Sequence, residues 1–225
     1  MYENTIEYPS GKITIKLEYD PDPSSPDEMG DCEPEFFRAQ RGEELDRKLN
    51  EEFQHPIKAM ARMTSGEVFE DKDGSWFYGF SEYRHGQSAF AFCNSSRARN
   101  FPDQQWDVIQ LVGWIKISKK LREDWGIVDD KKLAKAKAVG YLKTWEAYLN
   151  GEVYGCILQV LDAEEKVLEE DSCWGYYGEE DAITDAKATA RYMAGKFWKE
   201  LGLPKVQVYK VTCDGTTQPE ESNHE

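Results

Sequence analysis

The sequence predicts an α+β protein, in which antiparallel sheet hairpins pack with about three to four helices. Short segments that alternate apolar and polar residues are separated by turn residues, which is typical of hairpins. The second half reads strand, helix, helix, hairpin, helix, strand, an order that favours α+β over a doubly wound sheet. The 225 residues include seven Trp and twelve Tyr, enough aromatic material for an ordinary core.

The N-terminal part is predicted to be rich in hairpins. NTIEY and KITIKLEY alternate apolar and polar residues around the turn residues Pro9–Gly11. We expect a proline-rich acidic loop from Asp20 to Glu35 and then a helix over residues 35–53. Further strand signals lie in residues 67–93, with a turn at Lys72–Gly74.

The C-terminal part contains the clearest helices. Residues 107–117 are the best candidate for a buried strand, and Ser118 is expected to cap the short helix that follows it. Asp129 or Asp130 should start a longer helix, because a carboxylate suits the N-terminal end of the helix dipole. EVYGCILQVLD and KVLEEDSCW then form two strands, followed by a helix whose apolar stripe runs from Ile183 to Leu201.

We divide the chain into three parts on this basis. Residues 1–105 form an N-terminal hairpin-rich α+β region. Residues 106–213 form a C-terminal α+β domain, which carries the DSCWGYYG corner and ends in a strand over Val206–Cys213. Residues 214–225 are predicted to be a disordered tail.

The charge of the chain restricts its partners. The net charge is −15, of which residues 1–52 and 151–225 carry −9 each, whereas residues 116–150 carry +4. A field of this sign repels phosphates, so we expect no direct binding of nucleic acid. The acidic surface either serves only solubility or meets a basic protein, which is the partner we expect.

Localisation follows from what the sequence lacks. No apolar run approaches the roughly 18 residues that span a bilayer, and the N-terminus has neither the basic start nor the apolar core of a signal peptide. The five cysteines are scattered without CxxC spacing, which indicates a reducing compartment. We expect a cytoplasmic protein without membrane contact, and its oligomeric state stays open.

No set of residues predicts catalysis, a metal site or a cofactor. His85 lies in a probable loop, and DKDG at Asp71–Gly74 has no closing Glu, so a hairpin turn explains it better than a calcium loop. The chain has no glycine-rich phosphate loop. Arg97 and Arg99 are the nearest basic cluster, and arginine pairs favour carboxylates or phosphates.

The segment DSCWGYYG, Asp171–Gly178, is the most unusual part of the sequence. Gly175 and Gly178 would allow backbone angles that turn the three aromatic side chains to different sides. The segment is interpreted either as a corner that places Trp174 in the core or as an aromatic recognition surface. The candidate partner-binding residues are these aromatics and the surrounding acids: Trp174, Tyr176, Tyr177, Glu169, Glu170, Asp171, Glu179, Glu180 and Asp181.

The stretch from Trp145 to Gly178 resembles a group of uncharacterised phage and plasmid proteins. In that group a helix ending in a YLxGxVYG-like stretch precedes a hairpin and a DSCWGFYG-like corner. The matching residues are Tyr148, Leu149, Gly151, Val153, Tyr154, Gly155, Asp171, Ser172, Cys173, Trp174, Gly175, Tyr177 and Gly178. The resemblance implies a mobile-element origin and the host cell cytoplasm, and it brings no known activity.

The sequence therefore favours a phage or plasmid accessory protein that binds and inhibits a host defence factor. Such an inhibitor would be of the anti-restriction or anti-CRISPR type, and a row of carboxylates could act as an acidic mimic of nucleic acid. One alternative is a nucleotide- or signal-binding enzyme or sponge that uses Arg97, Arg99 or His85 around a pocket. Another is a structural or regulatory module of virion assembly.

Overall fold

The computed structural model describes residues 2–28, 33–197, 199–200, 202, 209–211 and 217–219. The chain forms two compact units, one from residues 1–20 together with 154–225 and one from residues 21–153. Both combine antiparallel strands with helices, which confirms the α+β class. The described residues contain six α-helices, more than the three to four expected.

The elements follow one another along the chain. The strands are β1 (Glu3–Tyr8), β2 (Gly11–Tyr19), β3 (Glu35–Arg38), β4 (Phe69–Glu70), β5 (Trp76–His85), β6 (Gln87–Phe92), β7 (Val108–Ile117), β8 (Val153–Asp162), β9 (Val167–Tyr177), β10 (Tyr209–Val211) and β11 (Thr217–Pro219). The α-helices are α1 (Gly42–Glu52), α2 (Pro56–Thr64), α3 (Ser96–Arg99), α4 (Lys119–Asp124), α5 (Lys131–Leu149) and α6 (Glu179–Phe197).

The first unit is a four-stranded sheet, in the order β1-β2-β8-β9, with α6 on one face. The predicted N-terminal hairpin is confirmed as β1 and β2. Strand β2 pairs antiparallel with β8 from Gly11 opposite Asp162 to Tyr19 opposite Tyr154. Apolar side chains of β2, β8 and α6 form the core between them: Ile13, Ile15, Leu17, Cys156, Leu158, Val160, Ala182, Ala186, Ala190, Met193 and Ala194.

The second unit is built around β5, which is buried on both faces. The sheet has the order β3-β7-β5-β4, and β6 also pairs with β5. Alternate side chains of β5, such as Trp76 and Tyr78, pack with α5 in one core, whereas Phe77 packs with α1 and α2 in another. A strand that is covered on both faces explains the nearly continuous aromatic run SWFYGF.

Two helix starts agree with the capping residues predicted from the sequence. The Ser118 side chain accepts a hydrogen bond from the Leu121 N–H at 3.1 Å and begins α4. The Asp130 carboxylate accepts from the N–H groups of Lys132 and Leu133, at 3.0 and 2.9 Å, and begins α5. Both caps provide acceptors for N–H groups that a first helical turn leaves unpaired.

Other local predictions need correction. The helix predicted for residues 35–53 begins only at Gly42, because residues 35–38 pair with β7 as an edge strand. Helix α2, which has Pro56 in its first turn, was missed. The predicted loop of residues 20–35 contains a 3₁₀ turn at Pro26–Glu28 and partly lies outside the described residues.

The compact units divide the chain differently from the sequence-based boundary at residues 105 and 106. The pairing of β2 with β8 joins the N-terminal hairpin to the C-terminal part. Of the strand predicted over Val206–Cys213, only Tyr209–Val211 is described, as β10. Of the predicted tail, residues 214–225, only Thr217–Pro219 is described, and it pairs with β10 as β11.

A buried carboxylate organises the end of β5 in the second unit. The Glu82 side chain is fully buried and accepts hydrogen bonds from Arg38 at 2.6 Å and from Ser88 at 2.7 Å. Arg84 forms a second ion pair with it at 2.7 Å. Burial by itself raises the pKa of the Glu82 carboxyl, but the hydrogen bonds from Arg38, Arg84 and Ser88 outweigh it and leave that pKa below its ordinary value.

Replacing Glu82 with Gln should lower the free energy of unfolding by about 3 kcal/mol, because Arg38 and Arg84 would lose their buried counter-ion. The urea midpoint at pH 7 measures this loss. The matched change Glu123→Gln, in the exposed pair with Lys119, should shift the free energy by less than about 1 kcal/mol.

The Glu82→Gln variant and the parent protein should also differ in how their stability depends on pH. The pKa of Glu82 is lower in the folded than in the unfolded chain, so its stabilisation is complete above the unfolded value of about 4.3 and is lost as the pH falls toward the folded value. Urea midpoints should therefore fall less steeply below about pH 4.3 in Glu82→Gln than in the parent protein. Parallel pH profiles for the two proteins would contradict this role of Glu82.

Candidate functional site

Strand β9 lies at one edge of the sheet in the first unit and contains most of the predicted partner-binding residues. It runs without interruption from Val167 to Tyr177, and only Gly178 separates it from α6. The predicted DSCWGYYG corner is therefore mostly strand, with the turn at Gly178. Most side chains from Val167 to Trp174 are exposed, so this edge is open to solvent.

Trp174 lies on the face of the sheet opposite α6. Its indole ring covers the backbone of Gly155, so closely that a Cβ atom at position 155 would overlap the ring. The neighbouring Cys156 belongs to the core under α6, and successive side chains of a strand point to opposite faces. Trp174 is 41% exposed, so it lies neither in the core nor free in solvent.

Tyr176 lies on the other face, against α6. Its hydroxyl donates a hydrogen bond to the Asp185 carboxylate and lies 4.0 Å from the sulfur of Cys156. Burial and then the hydrogen bond with Asp185 raise the pKa of the Tyr176 hydroxyl, and burial raises the pKa of the Cys156 thiol. Both groups stay protonated at neutral pH, so neither supplies a nucleophilic anion.

The two glycines of the segment have the conformations predicted for them. Gly175 has φ +85° and Gly178 has φ +114°, values that other residues rarely adopt. Gly175 separates Trp174 from Tyr176, which lie on opposite faces, and Tyr177 is half-buried. The structure therefore does not bring the three aromatics together as one anchor.

The acidic residues lie along β9 and in the first turn of α6. Glu169 is neutralised by an ion pair with Lys196 of α6. Glu170 accepts a hydrogen bond from Gln159 at 2.5 Å, which leaves its charge unmatched. The remaining predicted acids form no ion pair within the described residues: Asp171, Glu179, Glu180 and Asp181.

The surplus of negative charge is concentrated in this part of the unit. Residues 164–185 contain nine acids and one base. The 11 residues of β9 alone extend over roughly 35 Å. The acids of the strand are Glu169–Asp171, nearer its N-terminal end, and Glu179–Asp181 follow just after its C-terminal end, in the first turn of α6. The result is a strip of carboxylates beside unpaired backbone groups, which we call the acidic edge and define as Glu169–Asp171 with Glu179–Asp181.

The other candidates from the sequence lie in the second unit and do not form one site. The His85 ring lies 3.0 Å from the Asp107 carboxylate, and within the described residues no hydroxyl or thiol hydrogen-bonds to that ring. Asp73 accepts two hydrogen bonds from Ser75, so its carboxylate stabilises the DKDG turn. Arg99 donates a hydrogen bond to Asn94 at 3.0 Å.

Arg97 lines a cavity between elements of the second unit. This cavity of about 300 Å³ lies beside α5, and neither Arg99 nor His85 contributes to its wall. Arg97 also forms an ion pair with Glu146 at 2.8 Å. This cavity could not be predicted from the sequence, because its walls come from α3, β6 and α5, which no motif links.

No known protein family, curated protein or solved structure matches the chain. The resemblance of the segment from Trp145 to Gly178 to phage and plasmid proteins therefore stays a prediction. Among the described residues, every helix is too short or too polar to cross a lipid bilayer.

Replacing Gly155 with Ala should lower the free energy of unfolding by about 1–3 kcal/mol, because the new methyl group would displace the indole of Trp174. Gly195→Ala in α6 is the matched control, since the space around Gly195 is open. That change should raise stability by up to about 1 kcal/mol, because alanine is the better helix former. Urea unfolding of both variants measures the two effects, and equal shifts would contradict the packing of Trp174 on Gly155.

Proposed function

We propose that this protein works by binding, and that the acidic edge of the first unit is the surface that holds a basic protein. The observation that carries this proposal is an edge strand that, among the described residues, pairs on one side only and whose carboxylates mostly lack counter-ions there. The first unit carries −10 of the net charge of −15, although it contains fewer residues than the second. Such a field speeds the encounter with a positively charged partner and repels negatively charged ones.

The strand edge supports one mode of binding in particular. An unpaired edge offers N–H and C=O groups to an added strand, a recognition mode known as β-augmentation. Like charges at Glu170 and Asp171 oppose pairing with a second copy of β9, because the acids would lie close to one another. A basic segment meets no such opposition, and Trp174 adds an aromatic contact on one face of the strand.

The partner class follows from charge and from the sequence resemblance. A basic cleft that normally holds phosphates is the natural complement of a row of carboxylates. We therefore propose a host nuclease or another nucleic-acid-binding defence protein as the target, with the chain as an inhibitor from a phage or plasmid in the host cytoplasm. Enzymatic action on a nucleotide signal and a role in virion assembly remain the alternatives, and neither is favoured by the acidic edge.

Neutralising the edge should weaken partner binding. The full chain is immobilised on a resin and incubated with host lysate at 0.1 M NaCl. We expect it to retain a basic nucleic-acid-binding protein and to release that protein at 0.5 M NaCl, where salt screens the charges more strongly. The variant Glu170→Gln/Asp171→Asn should bind the purified partner about tenfold more weakly, mainly through slower association. Nuclease activity of that partner should fall when the parent chain is added.

The matched control changes the opposite edge of the same sheet. Glu3→Gln/Glu7→Gln removes two exposed charges from β1 and should alter the affinity by less than about threefold. The proposal fails if the lysate gives no basic partner. It also fails if binding is indifferent to salt, or if both double variants weaken it equally.

A further inference from the structure

The cavity beside α5 in the second unit has an apolar interior and a cationic rim. Aromatic and aliphatic side chains of β6 and α5 form its walls, among them Phe90, Phe92, Val139 and Leu142. Its volume of about 300 Å³ is at the lower end of the range for small-molecule sites. A small ligand with an apolar body therefore fits these walls.

Helix α5 provides acceptors for the open edge of β6 through side chains spaced four residues apart. Asn150, which ends the helix, accepts a hydrogen bond from the Ser88 N–H at 2.9 Å and donates one to the Ser88 carbonyl at 2.9 Å. Glu146 accepts from the Phe90 N–H at 2.7 Å. Alternate residues of an antiparallel edge strand direct their N–H groups away from the partner strand, which explains the spacing on β6.

The third position of this row lacks its acceptor. Phe92 lies two residues after Phe90, as Phe90 lies two residues after Ser88. It is paired with Phe80 of β5, so its N–H should also point away from β5. The helix residue one turn before Glu146 is Leu142, whose side chain has no oxygen. The Phe92 N–H has no acceptor among the described residues, although Phe92 is only 4% exposed. An unpaired buried N–H is unfavourable, and an oxygen in the cavity would complete the row.

Lysine side chains line the same cavity. Helix α5 contains five lysines and one acid in a chain whose net charge is −15. Lys132, Lys135 and Lys143 line the cavity, and the Lys135 ammonium lies 5.4 Å from the centre of the Phe92 ring. Within the described residues, Lys132 and Lys143 have no carboxylate within ion-pair distance.

We propose that this cavity binds a small amphipathic organic anion with an apolar body and one terminal carboxylate. The carboxylate accepts a hydrogen bond from the Phe92 N–H and lies near the Lys135 ammonium, and the apolar body packs against Phe90 and Val139. This site is independent of the acidic edge, which belongs to the other unit. A nucleotide fits less well, because its sugar and base would bury polar groups against apolar walls.

Decanoate is the probe, titrated into the full chain by calorimetry and by ¹⁵N-resolved NMR. We expect saturable binding of one molecule per chain, with the largest amide shift at Phe92. Octanoate should bind about tenfold more weakly, because two methylene groups lose their burial. Decyltrimethylammonium and AMP should each bind at least tenfold more weakly than decanoate, the first because of its charge and the second because of its polar body.

Variants on one helix separate the cavity from the rest of α5. Val139→Glu places a carboxylate on the apolar wall at a residue that is 40% exposed, and it should weaken decanoate binding at least tenfold. Leu133→Glu is the matched control, because Leu133 is 47% exposed on the same helix and does not line the cavity. It should change the affinity less than twofold, and thermal unfolding checks that both variants fold.

The cationic rim is tested in the same way. Lys135→Gln/Lys143→Gln should weaken decanoate binding about three- to tenfold, whereas Lys137→Gln, away from the cavity, should leave it unchanged. The proposal is overturned if decanoate does not saturate, if AMP binds more tightly, or if Val139→Glu and Leu133→Glu behave alike. The absence of a shift at the Phe92 amide overturns the carboxylate position.

Discussion

The pairing of β2 with β8 is the constraint on which the first unit depends. It aligns nine residues of β2, Gly11–Tyr19, with residues that lie about 135–150 positions further along the chain. Among the described strands, β9 pairs with β8 and so joins the sheet at its edge. Helix α6 packs on an apolar face that β2 and β8 form together. The chain must close a very long loop to make these contacts. The entropy cost of that closure grows only slowly with loop length, so the apolar core under α6 can offset it.

The two units treat an open strand edge in different ways. In the second unit, Asn150 and Glu146 of α5 accept hydrogen bonds from the N–H groups of Ser88 and Phe90 on β6, whereas the Phe92 N–H has no acceptor among the described residues. In the first unit, β9 leaves its edge to solvent and carries acids that discourage pairing with an identical strand. An edge strand whose N–H and C=O groups are all paired has no hydrogen-bonding group left for a partner. Binding is therefore favoured where such groups are unpaired. The partners that we propose for them differ, a protein strand at β9 and a small anion beside Phe92.

The local elements could be predicted where a single stretch of sequence determines them. The N-terminal hairpin, the caps at Ser118 and Asp130 and the positive φ of Gly175 and Gly178 all follow from residue types at short range. The helix predicted for residues 35–38 is wrong, because these residues form a strand by pairing with β7, about 80 residues away. The unit boundaries and the cavity escaped prediction for the same reason, since no local pattern links β2 to β8 or α5 to the edge of β6. The acids and Trp174 stay predicted site residues, and the packing of Trp174 on Gly155 could not be predicted, because it joins two strands.

The discontinuous first unit also has a consequence for biosynthesis. The ribosome releases the hairpin of β1 and β2 before β8, which follows only after more than 130 further residues. At about 5–20 residues per second, the wait lasts roughly 7 to 30 seconds. Throughout that interval Ile13, Ile15 and Leu17 have no cover, although each is almost completely buried in the finished protein. We therefore expect holding chaperones to bind this apolar face of the nascent chain until β8 has been synthesised.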